Sequence, residues 1–190
     1  MRSIGVISDT HGLLRPHALA ALSACDLIIH AGDVGKEEIL HELGAIAPLV
    51  AVRGNIDSGS VAKKLPDREV VELEGCKLLI LHDLAELEVE LDPGEAGYQA
   101  VIFGHSHRPL IERRQGVLYF NPGSAGPRRF RLPVTIGRLT LSQNEIAPEI
   151  IDIGEPRDMP AGSAHRLFKA VARAAKGVQE AVGRTTGAAR

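Results

Sequence analysis

The sequence predicts an α/β protein in which two mixed β-sheets pack face to face with helices outside. Two features point there: apolar runs alternate with amphipathic stretches through the first third, and the rest is rich in strand candidates. Strand–helix–strand alternation requires crossover connections and therefore parallel pairing, whereas strands joined by tight turns pair antiparallel. With 190 residues, 44% hydrophobic and 24% charged, the chain is long enough for one domain with a sizeable core.

Ile4–Ile7 is the first strand candidate, and Pro16 opens a helix over Pro16–Leu22, where proline has no helical amide bond to lose. Leu27–His30 and Leu49–Val52 are the next strands. Between them lies a helix over Lys36–Leu43, whose Ile39, Leu40 and Leu43 share a face. Glu69–Leu73 and Lys77–Leu81 flank Glu74-Gly75 and predict a hairpin with Gly75 at the turn. Leu84, Leu87 and Leu91 suggest a helix over Leu84–Leu91. Val101–Phe103, Val117–Phe120, Thr135–Leu141 and Glu149–Ile153 complete the strands. The main domain is thus expected over 1–153, followed by a Gly/Pro-rich linker over 154–162. Within 163–190, Leu167, Val171, Ala174, Val178 and Ala181 recur at helical spacing. They predict an extra C-terminal helix, docked on its own domain or completing a subunit interface, and then a tail.

Composition narrows the function. A net charge of −2 argues against general nucleic-acid coating. No apolar run approaches the roughly 20 residues of a membrane span, and the N-terminal run is too short for a secretory signal. Cys25 and Cys76 each sit in an apolar stretch, so no disulfide framework is expected and a cytoplasmic home fits. Neither GxxxxGK[ST] nor GxGxxG occurs, which leaves nucleotide binding by those loops without support.

The candidate chemistry lies just past the apolar runs. Asp9 and His11 come after the first, Asp33 after the second, Asn55 after the third, His82 after the run ending at Leu81, and His105 and His107 after the run ending at Phe103. Each strand thus delivers metal-ligating side chains past its carboxyl end, the rim where open α/β sheets place their sites. Residues at i and i+2 on extended backbone point to the same side, so Asp9/His11 and His105/His107 can each grip from one direction. Glycines immediately before Asp33, Asn55 and His105 suggest sharp turns or close approach. Seven oxygen and nitrogen ligands with no thiolate exceed one tetrahedral zinc and suit two ions sharing a carboxylate. Asp33, arriving alone from a central strand, is the natural bridge.

Together with Asn121-Pro122-Gly123-Ser124, this series resembles the calcineurin-like metallophosphoesterase family, in particular its small prokaryotic phosphodiesterase branch. The resemblance covers about residues 1–153 and implies a four-layer α/β/β/α sandwich. It assigns Asp9, His11, Asp33 and His107 to one divalent ion and Asp33, Asn55, His82 and His105 to the other. Manganese is the expected metal, with iron, zinc or nickel as alternatives. It implies a phosphodiesterase, more than a phosphomonoesterase, that hydrolyses a small phosphodiester by attack of a metal-bridging hydroxide. Asp33, Asn55 and His11 are the catalytic candidates, and Asn55 and Arg128 the substrate-binding ones. The alternative is a non-catalytic scaffold on the same fold, like the related retromer subunit, which binds protein partners. Neither reading involves a membrane; a homo-oligomer is compatible with both.

This chain departs from the family twice. Ile56 stands where many relatives carry a histidine that assists the leaving group, and Asp83 stands where glycine often follows the metal-binding histidine. Asp83 is expected to cap the next segment or to orient His82 or a metal-bound water. Arg128, Arg129 and Arg131 either clamp a phosphate or form a solvated basic face. Ser124 lacks a nucleophile elbow and is expected to shape its loop, with Gly123 bringing backbone close to the site. His30, on an apolar strand, reads as a satisfied core histidine; His17, His41 and His165 read as surface.

Overall fold

The computed structural model describes residues 1–87 and 92–154. The first sheet contains β1 (Arg2–Ile7), β2 (Leu27–Ala31), β3 (Leu49–Val52), β9 (Thr135–Ser142) and β10 (Glu145–Asp152), in the order β10-β9-β1-β2-β3. The second contains β4 (Arg68–Leu73), β5 (Cys76–Leu81), β6 (Ala100–Ile102), β7 (Leu110–Arg114) and β8 (Val117–Asn121), in the order β4-β5-β6-β8-β7. Both are mixed. β1–β2–β3 and β5–β6–β8 are parallel, in registers such as Ile4↔Leu27 and Leu78↔Ala100, while the hairpin partners are antiparallel. Helices α1 (Pro16–Leu22) and α2 (Glu37–Gly44) form the crossovers of the first sheet, and α3 (Gly59–Lys64) lies on the connection from β3 to β4 of the second.

The period-two alternation of the strands separates the layers. Ile4, Val6, Ile29, Ala31 and Val52 of the first sheet meet Leu78, Ile80, Ile102, Leu118 and Phe120 of the second in one core. The opposite face of the first sheet, including Ile7 and Ile28, packs on Leu19 and Leu22 of α1, Ile39 and Leu43 of α2 and Val61 of α3. Leu79, Leu81, Val101 and Tyr119 form a smaller outer cluster on the second sheet, joined by Leu84, Leu87 and Tyr98. Each fully buried Leu, Ile or Phe contributes about 1.5–3 kcal/mol by leaving water. The result is the expected α/β sandwich.

Differences lie at the edges. α3 and β7 carry few apolar residues and had no periodic signal; β7 is an edge strand whose LIERR sequence exposes its charges. β10 begins at Glu145, four residues before the expected start, because Pro148 is tolerated on an edge strand. Over Leu84–Leu91 the structure has a single 3₁₀ turn at Leu84–Glu86, and 88–91 lie outside the described residues. So do the linker beyond Gly154 and the C-terminal helix expected within 163–190. Three hairpins turn on two residues that both have positive φ, Glu74-Gly75, Gln115-Gly116 and Gln143-Asn144, as the right-handed strand twist favours.

His30 is only half satisfied. Its Nε2 lies 3.0 Å from Thr10 Oγ1, which donates to the Val34 carbonyl, while the buried Nδ1 has no hydrogen-bond partner among the described residues. Burial, opposed by the Asp57 and Asp9 charges, pushes its pKa down to about 4. An unfolded imidazole takes a proton near pH 6.5. Stability is therefore expected to fall as pH drops from about 6.5 toward 4, by up to about 3 kcal/mol. Denaturant titrations across that window should show the slope in the wild type and a weaker one in His30→Gln; equal slopes would refute it.

Candidate metal centre

The carboxyl ends of β1, β2, β3, β5 and β6 converge at one rim of the sandwich, and the ligand candidates lie in the loops just beyond them. Two groups form there. In the first, His11 Nε2 is 3.2 Å from His107 Nε2, and His107 Nε2 is 3.3 Å from Asp9 Oδ1. In the second, Asn55 Oδ1 is 3.1 Å from both His82 Nε2 and His105 Nδ1. Asp33 stands between them: Oδ2 is 3.7 Å from His11 Nε2, and Oδ1 is 3.4 Å from His82 Nε2. The structure thus brings together all seven expected ligand positions, Asp9, His11, Asp33, Asn55, His82, His105 and His107.

The donor set fits cations. Asp9 Oδ1 is buried and makes no hydrogen bond among the described residues, although His107 Nε2 is close by. The Ala31 carbonyl lies 2.7 Å from His82 Nδ1 and accepts its proton, which leaves Nε2 as the atom that faces Asp33 and Asn55. Two sets of carboxylate–histidine ligand atoms, Asp9/His11/His107 and Asp9/Asp33/His82, each fall within 4.8 Å of one another.

The backbone is distorted to achieve this. Among the described residues ten non-glycine residues have positive φ, and five of them are Asp9, His11, Asp33, His105 and His107. Asp and His tolerate the left-handed region better than most residues, but each still costs on the order of 1 kcal/mol or more. The glycines permit close packing around them. A Cβ on Gly54 would overlap Asp33, one on Gly104 would overlap Ser8 Oγ, and Gly32, at φ +88°, leaves no room for a Cβ beside the His82 ring.

Hydrogen bonds then hold the loops in register. Asp57 accepts from Gly54 N at 2.8 Å, Val34 N at 3.2 Å and Gly35 N at 2.8 Å, tying the Asp33 loop to the Asn55 loop. Sequence reading assigned Asp57 no role; its signal was an aspartate two residues after Asn55, placed to fold back on the turn. Asn121 donates to the Gly104 carbonyl at 2.6 Å and accepts from Gly123 N at 2.8 Å. Ser124 donates to the Asp9 carbonyl at 3.0 Å, a tether that shapes the loop. Gly123 makes its close approach to Thr135 and Pro109 rather than to the metal ligands. Asp83 caps the 3₁₀ turn through Ala85 N at 3.0 Å, and its other oxygen faces His105 Nε2 at 3.6 Å rather than His82.

Of the three arginines, Arg129 reaches the ligands, with Nη2 3.3 Å from His11 Nε2. Arg128 lies alongside Gly154. Ile56 is exposed beside Asn55, and its amide donates to Asp33 Oδ1 at 3.0 Å.

A metal-ligating rim on a double-sheet α/β sandwich defines a class of metal-dependent hydrolases. The chain belongs to the calcineurin-like phosphoesterase superfamily, whose domain model matches residues 1–144. It is 37% identical to a probable metallophosphoesterase of Methanocaldococcus jannaschii over 80% of this chain and 82% of that protein. Among solved structures it resembles an archaeal phosphodiesterase, with a TM-score of 0.67 and 26% identity over 78% of this chain and 99% of that one. The fold is also that of Vacuolar Protein Sorting 29 from Cryptosporidium parvum, with a TM-score of 0.68 and 20% identity over 80% of this chain and 91% of the other. The chain is accordingly a phosphoesterase of a metal-binding family, and the clustered carboxylates and imidazoles are its candidate ligands. No helix among the described residues is long and apolar enough to cross a membrane.

The charges of the two groups differ. Burial holds His11 below the usual imidazole range, aided by the Arg129 and His107 charges and opposed by Asp33 and Asp9. Burial also acts to lower His82, but hydrogen bonds to Asp33 and Ala31 and the Asp33 and Asp9 charges raise it to about 9. Burial disfavours the Asp33 charge, yet the His82 and Ile56 hydrogen bonds hold its carboxyl below the usual range. Metal loading therefore has to displace the His82 proton below about pH 9. Affinity is expected to rise by up to about tenfold per pH unit between pH 7 and 9, with about one proton released at pH 7.5. Calorimetry in buffers of different ionisation enthalpy checks this; a heat independent of the buffer would contradict it.

Proposed function

We propose that this protein is a dinuclear metal-dependent phosphodiesterase acting on a small phosphodiester. The observation that carries this reading is the division of Asp33, whose Oδ2 faces His11 and whose Oδ1 faces His82. Asp9, His11, Asp33 and His107 would hold one ion, and Asp33, Asn55, His82 and His105 the other. Manganese is the metal proposed, as the family resemblance implies, with iron, zinc or nickel as substitutes, since oxygen and imidazole donors accept all four. When bound, two such ions supply Lewis acidity toward phosphoryl oxygens and a nucleophilic water at neutral pH.

The side chains divide the remaining work. With Asn55 Oδ1 turned toward His82 and His105, its amide N–H groups are free to donate to a phosphoryl oxygen. Arg129 brings a fixed positive charge beside His11, suited to a phosphodiester monoanion. Arg128, the substrate-binding candidate of the sequence, is the adjacent residue and lies alongside Gly154. Ile56, exposed beside Asn55, offers no proton to the leaving alcohol, so alcohols of low pKa should leave faster. Ser124 is committed to the Asp9 carbonyl, which supports attack by water rather than by a seryl nucleophile. The free thiols of Cys25 and Cys76 suit a reducing, cytoplasmic setting.

A scaffold would gain nothing from five strained ligand positions, which favours catalysis. With added manganese, bis-aryl phosphate should be hydrolysed at least about tenfold more efficiently than mono-aryl phosphate. Asp33→Asn should lower kcat by about 100-fold or more. Absence of turnover with manganese, iron, zinc and nickel alike would favour the scaffold, and full activity in Asp33→Asn would refute the shared-ligand role.

A further inference from the structure

Phe130 stands apart in two ways. Among the described non-glycine residues with positive φ, five are metal-ligand positions and four make hairpin turns; the tenth is Phe130, at φ +53°. It is also 92% exposed, whereas the other exposed large apolar side chains away from the N-terminus lie between 39% and 46%. A bulky residue pays for the left-handed region in stability, and a ring left in water returns nothing to the fold.

Its neighbours tie the turn to the loop that carries Asp9 and His11. Phe130 occupies the second place of a turn closed by Leu132 N–H donating to the Arg129 carbonyl at 3.1 Å. The turn lies between Pro127 and Pro133 in an exposed Arg-Arg-Phe-Arg stretch. Just before it, Gly126 packs so closely on the Asp9 and Thr10 carbonyls that a Cβ would not fit, and its own carbonyl accepts from Arg15 at 3.2 Å. The Arg129 guanidinium reaches His11. An arginine beside His11, and an exposed aromatic residue next to it in sequence, thus sit in a turn anchored to the loop that carries Asp9 and His11.

We infer that the Arg129–Phe130 turn recognises the nucleoside part of a nucleotide phosphodiester: Arg129 binds a phosphoryl oxygen and Phe130 stacks on the base. The inference rests on the phosphodiesterase reading and names its substrate class. Single-stranded nucleotides are commonly recognised by aromatic rings that stack on bases beside cationic groups that track phosphates. Glycerol and amino-alcohol diesters have no planar group for the ring. The net charge of −2 is unsuited to gripping a long polyanion, so the substrate is a short diester.

The test compares a dithymidine dinucleotide with the same sugar–phosphate backbone lacking bases, using manganese-loaded protein. Wild type should favour the dinucleotide about tenfold in kcat/KM, within the range expected for stacking on one base. Phe130→Ala should bring that ratio to about one, Phe130→Tyr should keep it, and Arg129→Ala should lower both rates while leaving the ratio. A binding readout is independent of turnover. The chain has no tryptophan, so Phe130→Trp places a single fluorophore in the turn. Thymidine 5′-monophosphate should quench it, and deoxyribose 5-phosphate should not. Base-selective quenching without turnover of any diester would uphold the recognition and overturn the phosphodiesterase reading. Diester turnover with no base preference and no base-selective quenching would overturn the recognition and leave the phosphodiesterase reading in place.

Discussion

Asp33 occupies the position on which the rest of the centre depends. It leaves the carboxyl end of β2 in the left-handed region and is flanked on one side by Gly54, which has no Cβ to collide with it. Its two oxygens face different histidines from different sheets, His11 after β1 and His82 after β5. One carboxylate thus couples the rims of both sheets. Without cations, much of the attraction within the centre comes from this buried negative charge and its neighbouring imidazoles, which is why His82 is so basic.

Holding that arrangement requires a rigid frame, because clustered ligands repel one another and strained backbone relaxes when it can. Asp57 uses both oxygens on three amides from two loops, and Asn121 and Ser124 bind the loops of β6 and β1 to the one that follows β8. Thr10, between two ligand positions, is fixed by His30 and the Val34 carbonyl. The contacts of Asn121, Ser124 and Thr10 are buried and those of Asp57 partly exposed, and the inter-sheet core behind them fixes where the strands end.

The sequence was most legible where one physical signal dominated. Strands buried on both faces, such as β1 and β5, appear as apolar runs, and Pro16 and Glu74-Gly75 announce a helix start and a turn. β7 and α3 were not legible because an edge strand and a short surface helix are held by neighbours more than by their own patterning. The candidate ligand positions were legible because Asp, Asn and His follow strand after strand. Arg128 and Arg129 were indistinguishable, since adjacent exposed residues differ only in the direction the loop turns them.

By itself, then, the sequence determined the fold class, the rim that gathers the candidate ligands and the residue types available there, because burial periodicity and local turn chemistry are short-range properties. Tertiary structure alone decided which oxygen of Asp33 faces which histidine, that Asp57 laces two loops together, and that Arg129 rather than Arg128 reaches His11. Those outcomes depend on the relative placement of loops from two sheets, set by core packing between residues far apart in the chain.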